Sequence, residues 1–528
     1  MTLMFKNKDI AYIWSAVFVN VLFYLYLIVR HPYFLTDDYV HFGLINSNFS
    51  NFVTLNLNHI TDFEKLYFLT RPLNYILSLF NLKVFFADPL LMKIFALMLH
   101  SALLFSVYLL LKQLLLFYKL EINRMALFLT IIFFGLHPNN MWWIYWIGNQ
   151  SELLMILFFV ISLYSVFLYT NNSDKKYLNY YLLFYILSIL TKQEGLNLPV
   201  LVLIFFYFNK DKISSDKLKG LRNYSLAGIC IMILYSAFTF IFSSNNLKLE
   251  YLLKKPFSLI GNLLYVIFPF NSLSSYSYFV EHKLITYVLC LTIIFILVLL
   301  VSLRKLKLRS LLFATLITVV SFYPRIYDGA NNRINTIQLL LFSIILFFLL
   351  RRKNVNIKYY MGGILFIIFL NIIEIFSLIS FQKGLKDIQY NQASEYLKVQ
   401  EENKTVAIAF YSFYLPYQTY FERNKNFGKD SLKMLPLSYS FLIEGNSFQD
   451  NIKISCSEKN DTLYIKNEED PYIRIDVEKY MPGSENYMYL QNNINYNKGF
   501  KSLALPLSDK DRSEKYIYYN GKKWLTLD

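Results

Sequence analysis

Eleven apolar runs follow one another along the first 381 residues of the chain, and each run predicts a membrane helix. The runs cover residues 10–29, 90–111, 125–136, 150–169, 178–190, 196–208, 224–242, 284–303, 310–323, 334–350 and 359–381. A helix that crosses the hydrocarbon core needs about 20 apolar residues. The third, fifth, sixth and ninth runs are shorter than this, so we expect the polar residues beside them to lie at membrane depth.

The pattern changes after residue 381. Apolar and polar residues now alternate in stretches such as 405–410, 451–455, 462–466 and 472–477, with charged turns between them. Such alternation is typical of a β-strand with one buried face. The sequence therefore predicts two domains, an α-helical polytopic membrane domain over residues 1–381 and a small α+β domain over residues 382–528.

Composition supports a membrane protein and excludes several other classes. Hydrophobic residues make up 55% of the chain and charged residues only 17%, whereas soluble domains average about 25% charged residues. An ordinary soluble enzyme, a disordered chain and a disulfide-rich secreted scaffold are excluded. The three cysteines, Cys230, Cys290 and Cys456, form no CxxC pair, so we predict neither a metal knuckle nor a disulfide framework.

The excess positive charge lies entirely in the hydrophobic part of the chain. Residues 382–528 contain 20 basic and 20 acidic residues, which leaves 32 basic and 16 acidic residues in 1–381. If the N-terminus is cytoplasmic, 20 of those 32 fall in cytoplasmic segments: Lys6, Lys8, Lys112, Lys119, Arg124, Lys175, Lys176, Lys210, Lys212, Lys217, Lys219, Arg222, Arg304, Lys305, Lys307, Arg309, Arg351, Arg352, Lys353 and Lys358. This positive-inside distribution predicts a cytoplasmic N-terminus and an extracytoplasmic C-terminal domain.

On this topology, an acidic pair follows the first helix on the outer face. Asp37 and Asp38 are adjacent, and their mutual repulsion raises the proton affinity of one of them or favours a bound cation. A carboxylate in this place can accept a proton from an acceptor hydroxyl, which is general-base catalysis. A helix N-cap explains the same pair without any activity.

Three further outer segments add carboxylates and cations. Glu152 opens an apolar run with no basic residue near it in the sequence, so it needs a partner from elsewhere. Lys192 and Glu194 share the turn between two short runs, where they form a mutual ion pair or Lys192 binds a lipid phosphate. Arg333 enters a run from outside and either snorkels or binds phosphate, and Arg71 is a further candidate for that role.

Other residues in these regions have structural interpretations. Trp142 and Trp143, which follow the His-Pro pair at 137–138, are typical of aromatic anchors at the membrane interface. His100 and Glu374 lie inside apolar runs, and we interpret both as structural.

The same outer segments resemble the GT-C superfamily of polyprenyl-phosphate-sugar-dependent glycosyltransferases. The acidic pair after the first helix is the hallmark of that superfamily. Residues 38–43, Asp-Tyr-Val-His-Phe-Gly, are similar to the Asp-Glu-x-His-Phe-Gly of protein O-mannosyltransferases. The His-Pro pair, the Trp-Ile-Gly-Asn-Gln-Ser-Glu-Leu-Leu of 146–154 and the Leu-Thr-Lys of 190–192 resemble segments of the tetratricopeptide-associated transmembrane O-mannosyltransferases. This chain departs from those patterns at Tyr39, at Gln150 where they have arginine, at Asn332 where they have aspartate, and at Ile334 where they have tyrosine.

The resemblance implies an inverting transferase that moves a monosaccharide from a polyprenyl phosphate to an acceptor outside the cytoplasm. The acceptor is a glycan, a lipid or a protein, no nucleic acid is involved, and a bacterial inner or plasma membrane is the expected location. The resemblance implies Asp38 and Asp37 for catalysis, Lys192 and Arg333 for the donor phosphate, and Glu152, Glu194 and His137 for the shape of the cavity. To these we add Arg71 for the phosphate and His41 for the cavity.

Alternatives to this interpretation stay open. We assign no definite cofactor, and a divalent metal ion held by Asp37, Asp38 and Glu152 is compatible with the sequence. A transporter or flippase of a lipid-linked sugar, or a non-catalytic membrane scaffold in which the acidic pair only caps a helix, would also place these residues at a membrane surface.

Overall fold

The computed structural model describes residues 7–33, 70–85, 88–242, 336–350 and 361–380, a few helical residues between 312 and 383, and the backbone of strands between 405 and 526. The chain divides into two compact units, Met1–Pro32 with Asp62–Ser377, and Tyr33–Thr61 with Leu378–Asp528.

Helices make up nearly all of the described residues before 381. They are α1 (Asn7–Arg30), α2 (Pro72–Val84), α3 (Pro89–Phe117), α4 (Arg124–Gly135), α5 (Pro138–Tyr145), α6 (Gln150–Asn172), α7 (Lys176–Thr191), α8 (Leu198–Phe208), α9 (Ser215–Phe242), α10 (Thr336–Leu350) and α11 (Met361–Ser380). Short 3₁₀ helices at Ile147–Asn149, Gln193–Asn197 and Lys210–Lys212 connect some of them.

Five of these helices are long and apolar enough to cross a membrane, namely α1, α3, the segment Ile147–Asn172 that contains α6, α9 and α11. The prediction of an α-helical multi-pass membrane protein is therefore confirmed. Each predicted run within the described residues overlaps a helix. Run 284–303 and most of run 310–323 lie outside those residues, so the number of eleven spans stays a prediction.

Two helices, α2 and α5, were not predicted. Each begins with a proline in its first turn, where the missing amide hydrogen costs nothing. In α2 the polar face is buried and the apolar face is exposed, the reverse of a helix on the surface of a soluble protein. Asn74, Ser78 and Asn81 are buried, whereas Ile76 and Phe80 are exposed. In α5 all eight residues are buried. Neither helix has a run long enough to be recognised as a span.

The core of the helical unit lies around α6, which packs against both α3 and α7. Two serine hydroxyls join α6 to α7: Ser162 donates to the carbonyl of Tyr181 at 2.7 Å, and Ser188 donates to the carbonyl of Met155 at 3.1 Å. On the other side of α3, the backbone of α4 approaches α1 closely, since a side chain at Gly135 would collide with Asn20. The two serine hydrogen bonds matter because the hydrocarbon core of a bilayer offers no hydrogen-bond partner to a hydroxyl group.

The turns that the sequence predicts to be cytoplasmic are held together by polar contacts. The Tyr118 hydroxyl donates to Oδ1 of Asn209 at 3.1 Å, and the Lys212 ammonium lies 4.0 Å from the centre of the Tyr118 ring. Desolvation at this position lowers the pKa of Lys212. Between α6 and α7, the hydrogen bond from Lys176 holds the pKa of Asp174 below its usual value.

The second unit contains nine described strands. They are β1 (Thr405–Phe410), β2 (Leu437–Glu444), β3 (Ile454–Lys459), β4 (Thr462–Asn467), β5 (Arg474–Lys479), β6 (Met488–Tyr489), β7 (Ser502–Pro506), β8 (Lys515–Tyr519) and β9 (Trp524–Thr526). Six form a mixed sheet in the order β6-β5-β2-β1-β8-β9, and three form a sheet in the order β3-β4-β7. In the mixed sheet β1 pairs in parallel with both β2 and β8.

The four alternating stretches of the sequence correspond to strands of these sheets. Stretch 405–410 is β1 without a shift, and stretch 462–466 lacks only the last residue of β4. Stretches 451–455 and 472–477 begin three and two residues before β3 and β5. The complete α+β assignment and the domain boundary at 381 stay predictions.

Candidate functional site

An ion pair between Glu152 and Lys192 lies at the centre of the candidate site. Glu152 is in the first turn of α6, and Lys192 follows the last residue of α7. The Glu152 side chain is fully buried, and that of Lys192 is only 11% exposed. The N-terminal end of a helix stabilises a negative charge, which favours a carboxylate at this place in α6. The partner that Glu152 needs therefore comes from a different helix, forty residues further along the chain.

A second carboxylate lies on the other side of the same lysine. Oε1 of Glu194 is 4.0 Å from Nζ of Lys192, and the Glu194 side chain is 8% exposed. The mutual Lys192–Glu194 pair that the sequence allowed is thus at the limit of an ion pair, while Glu152 makes the closer contact. One cation shared by two buried carboxylates leaves a local excess of negative charge that a further cation stabilises.

The turn that carries Lys192 and Glu194 is held tightly against the helices. Lys192 is extended, and the 3₁₀ helix Gln193–Asn197 follows it directly. A side chain at Gly195 would collide with the Ser188 hydroxyl, which itself bonds to α6. The Tyr185 hydroxyl donates to the carbonyl of Leu196 at 3.2 Å. Lys192 is consequently presented from a rigid hairpin between α7 and α8.

Gln150 is the first residue of α6, and its side chain fixes the start of that helix. Its side-chain amide donates to the carbonyl of Met92 in α3 at 3.2 Å. Its side-chain oxygen accepts a 2.9 Å hydrogen bond from Asn81 in α2. Gln150 and Asn81 are buried, so both bonds form away from water. Three helices meet at this residue, which lies two positions before Glu152 in the first turn of α6.

Arg71 lies at the same end of the helical unit, immediately before α2. The residue before it, Thr70, accepts a 2.5 Å hydrogen bond through its carbonyl from the Tyr235 hydroxyl in α9. Arg71 and Glu194 both interact electrostatically with that hydroxyl. The fold thus brings four of the candidate residues, Arg71, Glu152, Lys192 and Glu194, to one end of the bundle from three separate parts of the sequence.

His137 acts locally as a cap for α5. It is fully buried, and its Nδ1 accepts a 3.2 Å hydrogen bond from the backbone amide of Asn139. Trp142 and Trp143 are buried in the protein, with 2% and 0% exposure, so the interpretation as interface anchors is wrong for both. The short helix α5 turns these rings inward, which a hydropathy pattern does not reveal.

Lys93, near the start of α3, is a further buried charged residue of this region that was not predicted from the sequence. Lys93 is fully buried, its Nζ donates to the carbonyl of His31 at 3.1 Å, and it lies 4.4 Å from the centre of the Tyr145 ring. The available signal was a lysine at the fourth position of the apolar run 90–111. His100, seven residues after Lys93 in α3, packs edge-on against Tyr24 with 5.6 Å between the ring centres.

Other sequence candidates lie outside the described residues, namely Asp37, Asp38, His41 and Arg333. Within the described part of the chain, no group of three or more His, Cys, Asp and Glu side chains is placed to hold a metal ion. Glu152 already carries an ion pair with Lys192, which a metal ion bound there would have to displace. Because Asp37 and Asp38, the other two candidate ligands, lie outside the described residues, a metal site that includes Glu152 stays a prediction.

The arrangement brings a half-buried arginine and a lysine whose side chain is 11% exposed to one end of the bundle, and an anion that reaches this lysine would share its ammonium group with Glu152 and Glu194. No protein-family model matches this chain, and no curated protein is significantly similar to it.

Proposed function

We propose that this protein is an integral-membrane inverting glycosyltransferase that moves a monosaccharide from a polyprenyl phosphate to an acceptor outside the cytoplasm. One observation supports this most directly. Arg71, Lys192 and their carboxylate neighbours come together at the end of the bundle that the charge distribution predicts to face outward. A phosphate group on a membrane lipid lies at the surface of the bilayer, and on the predicted topology this end of the bundle is at the outer surface.

The proposed chemistry is a displacement at the anomeric carbon of the donor sugar. The acceptor oxygen forms a bond to that carbon while the bond from the carbon to the phosphate oxygen breaks, and the electron pair leaves with the phosphate. Lys192 and Arg71, together with Arg333, stabilise the charge that develops on the leaving phosphate. Asp38 accepts the proton of the acceptor hydroxyl, and Asp37 raises the proton affinity of Asp38 by its charge.

Glu152 and Glu194 prepare Lys192 for this role. A charged lysine in an apolar environment needs an anionic partner, and the two carboxylates supply that partner and fix the position of the ammonium group before the donor arrives. When the phosphate binds, it becomes an additional anionic partner of the same ammonium group. His137 and His41 complete the wall of the proposed cavity.

We further propose a topology and a location for the protein. It has eleven spans, a cytoplasmic N-terminus and a C-terminal α+β domain outside the cytoplasm, and it lies in a bacterial inner or plasma membrane. A divalent ion near Asp37 and Asp38 would supply Lewis-acid stabilisation of the leaving phosphate. No step described above depends on it.

The deciding experiment uses the full-length protein in liposomes with a panel of polyprenyl-phosphate monosaccharides. We expect one of them to be consumed with release of free polyprenyl phosphate, and the reaction to be lost in Lys192→Ala. In parallel, mass analysis of surface glycans from a deletion strain should show a missing sugar. A protein that moves intact lipid-linked sugar between leaflets without releasing polyprenyl phosphate would be a flippase, and the proposal would then be wrong.

A further inference from the structure

The segment immediately before α2 is tied to α9 by one hydroxyl. Tyr235 of α9 donates to the carbonyl of Thr70 at 2.5 Å, and Arg71 is the next residue. Helix α9 is otherwise peripheral: Ile233, Leu234 and Phe238 are exposed along it. A tyrosine that reaches from a lipid-facing helix to a backbone carbonyl therefore restrains the chain at the point where the arginine is placed.

The same hydroxyl is also in the electrostatic field of the candidate site. The positive charge of Arg71 and the negative charge of Glu194 both interact with the Tyr235 hydroxyl, and the two interactions have opposite signs. Glu194 in turn lies 4.0 Å from the Lys192 ammonium. Tyr235 is thus bonded to the segment that carries Arg71 and interacts with Glu194 of the hairpin that carries Lys192.

We propose that Tyr235 is a positioning residue for Arg71, which it holds at the distance from Lys192 where both cations contact one phosphate group. The inference rests on the proposed function. Tyr235 itself does not contact the reacting atoms, because its proton is given to Thr70. Without this bond, Arg71 keeps its charge, but the chain before α2 has more conformations to lose when the donor binds.

The chain provides a matched control on the same helix. Tyr224 is eleven residues before Tyr235, which places it three turns away on the same face of α9. Its hydroxyl also makes one hydrogen bond, to Oδ1 of Asn179 at 2.8 Å, near the other end of the helix. Tyr224→Phe therefore removes the same group from the same helix without affecting the segment of Arg71.

The test measures donor kinetics for the wild type, Tyr235→Phe, Tyr224→Phe, Arg71→Gln and the double variant Tyr235→Phe/Arg71→Gln. We expect Tyr235→Phe to raise the KM for the donor about 2- to 10-fold, the range of one hydrogen bond, with kcat unchanged. Tyr224→Phe should retain the wild-type KM. In the Arg71→Gln background, the Tyr235→Phe change should add nothing, since the residue that it positions is already gone.

A second measurement does not depend on transfer. Hydrogen exchange of the amides in the first turn of α2, among them Tyr75, which bonds to the carbonyl of Arg71 at 3.2 Å, should be faster in Tyr235→Phe than in Tyr224→Phe. A wild-type protein without transferase activity would overturn the proposed function but would leave this result intact. Wild-type KM in Tyr235→Phe, or effects of Tyr235→Phe and Arg71→Gln that simply multiply, would overturn the positioning role.

Discussion

Lys192, at the end of α7, pairs with Glu152, at the start of α6, so that a buried cation and a fully buried anion neutralise one another across two helices. The two residues are forty positions apart, and each lies beside an apolar run. In such surroundings an isolated charge is costly, whereas a pair with good geometry is tolerated. The stability of this end of the bundle therefore depends on both partners together.

The first prediction concerns this pair. Glu152→Gln should destabilise the protein by about 3 kcal/mol or more, because it leaves the Lys192 charge with only the more distant Glu194. The double variant Glu152→Gln/Lys192→Met should recover part of that loss, since the Lys192 charge is removed together with its closer partner and only the 4.0 Å contact to Glu194 is lost in addition. Thermal unfolding of the purified proteins in one detergent measures both. Equal melting temperatures for the single and the double variant would contradict a coupled pair.

The second prediction concerns the turn that presents Lys192. Gly195→Ala should destabilise the protein by about 1–3 kcal/mol, because the new methyl group would meet the Ser188 hydroxyl. Removing that hydroxyl in Gly195→Ala/Ser188→Ala should restore part of the loss, although the bond to Met155 is then missing. Gly362→Ala is the control, since a side chain there would have nothing within 4 Å. If Gly195→Ala melts like Gly362→Ala, the hairpin is not packed as described.

The third prediction concerns Gln150, which joins α2, α3 and α6. Gln150→Leu should destabilise the protein by about 1–3 kcal/mol, because the Asn81 amide and the Met92 carbonyl lose a partner in a buried place. Gln113 offers a comparison, since its side-chain oxygen accepts a 2.8 Å bond from Asn171 in a half-buried position. Gln113→Leu should have the smaller effect on the melting temperature. The opposite order would show that the three-helix junction is not a stabilising feature.

The sequence predicted where most helices lie along the chain, but it did not predict which of their side chains contact one another. Hydropathy gives the position of a helix along the chain and its depth, and all predicted runs within the described residues overlap helices. It does not give the rotation of a helix about its axis, so the Glu152–Lys192 contact could not be predicted. Helices α2 and α5 were missed because their buried faces are polar or their length is short. Lys93 was missed because a single lysine interrupts an apolar run only slightly.

The fourth prediction concerns topology. Residues 210–222 should be cytoplasmic and the tail after residue 382 external, because the basic residues are distributed in that way. In a background with Cys230, Cys290 and Cys456 replaced by serine, a cysteine at Ser215 should resist an impermeant thiol reagent in whole cells, while one at Ser457 should react. Labelling at Ser215 but not at Ser457 would place Asp38 on the cytoplasmic side and remove the basis for an external acceptor.

The last prediction separates an enzyme from a transporter or a scaffold. A general base contributes about 10²- to 10⁴-fold to a rate. Asp38→Asn keeps the size of the side chain and much of its hydrogen bonding but cannot accept a proton. We therefore expect it to lower glycan transfer by that factor while membrane insertion, melting temperature and donor binding stay close to those of the wild type.

Asp37→Asn is the matched control for this change, because it alters the neighbouring carboxylate by the same atoms. Its effect should be milder, since the spacing to His41 and Gly43 in the resemblance places the reacting aspartate at position 38. An inactive Asp37→Asn beside an active Asp38→Asn would move the base by one residue and leave the transferase proposal standing. Wild-type transfer in both variants would mean that the pair only caps a helix, because a reaction that proceeds without either carboxylate has no use for them as a base.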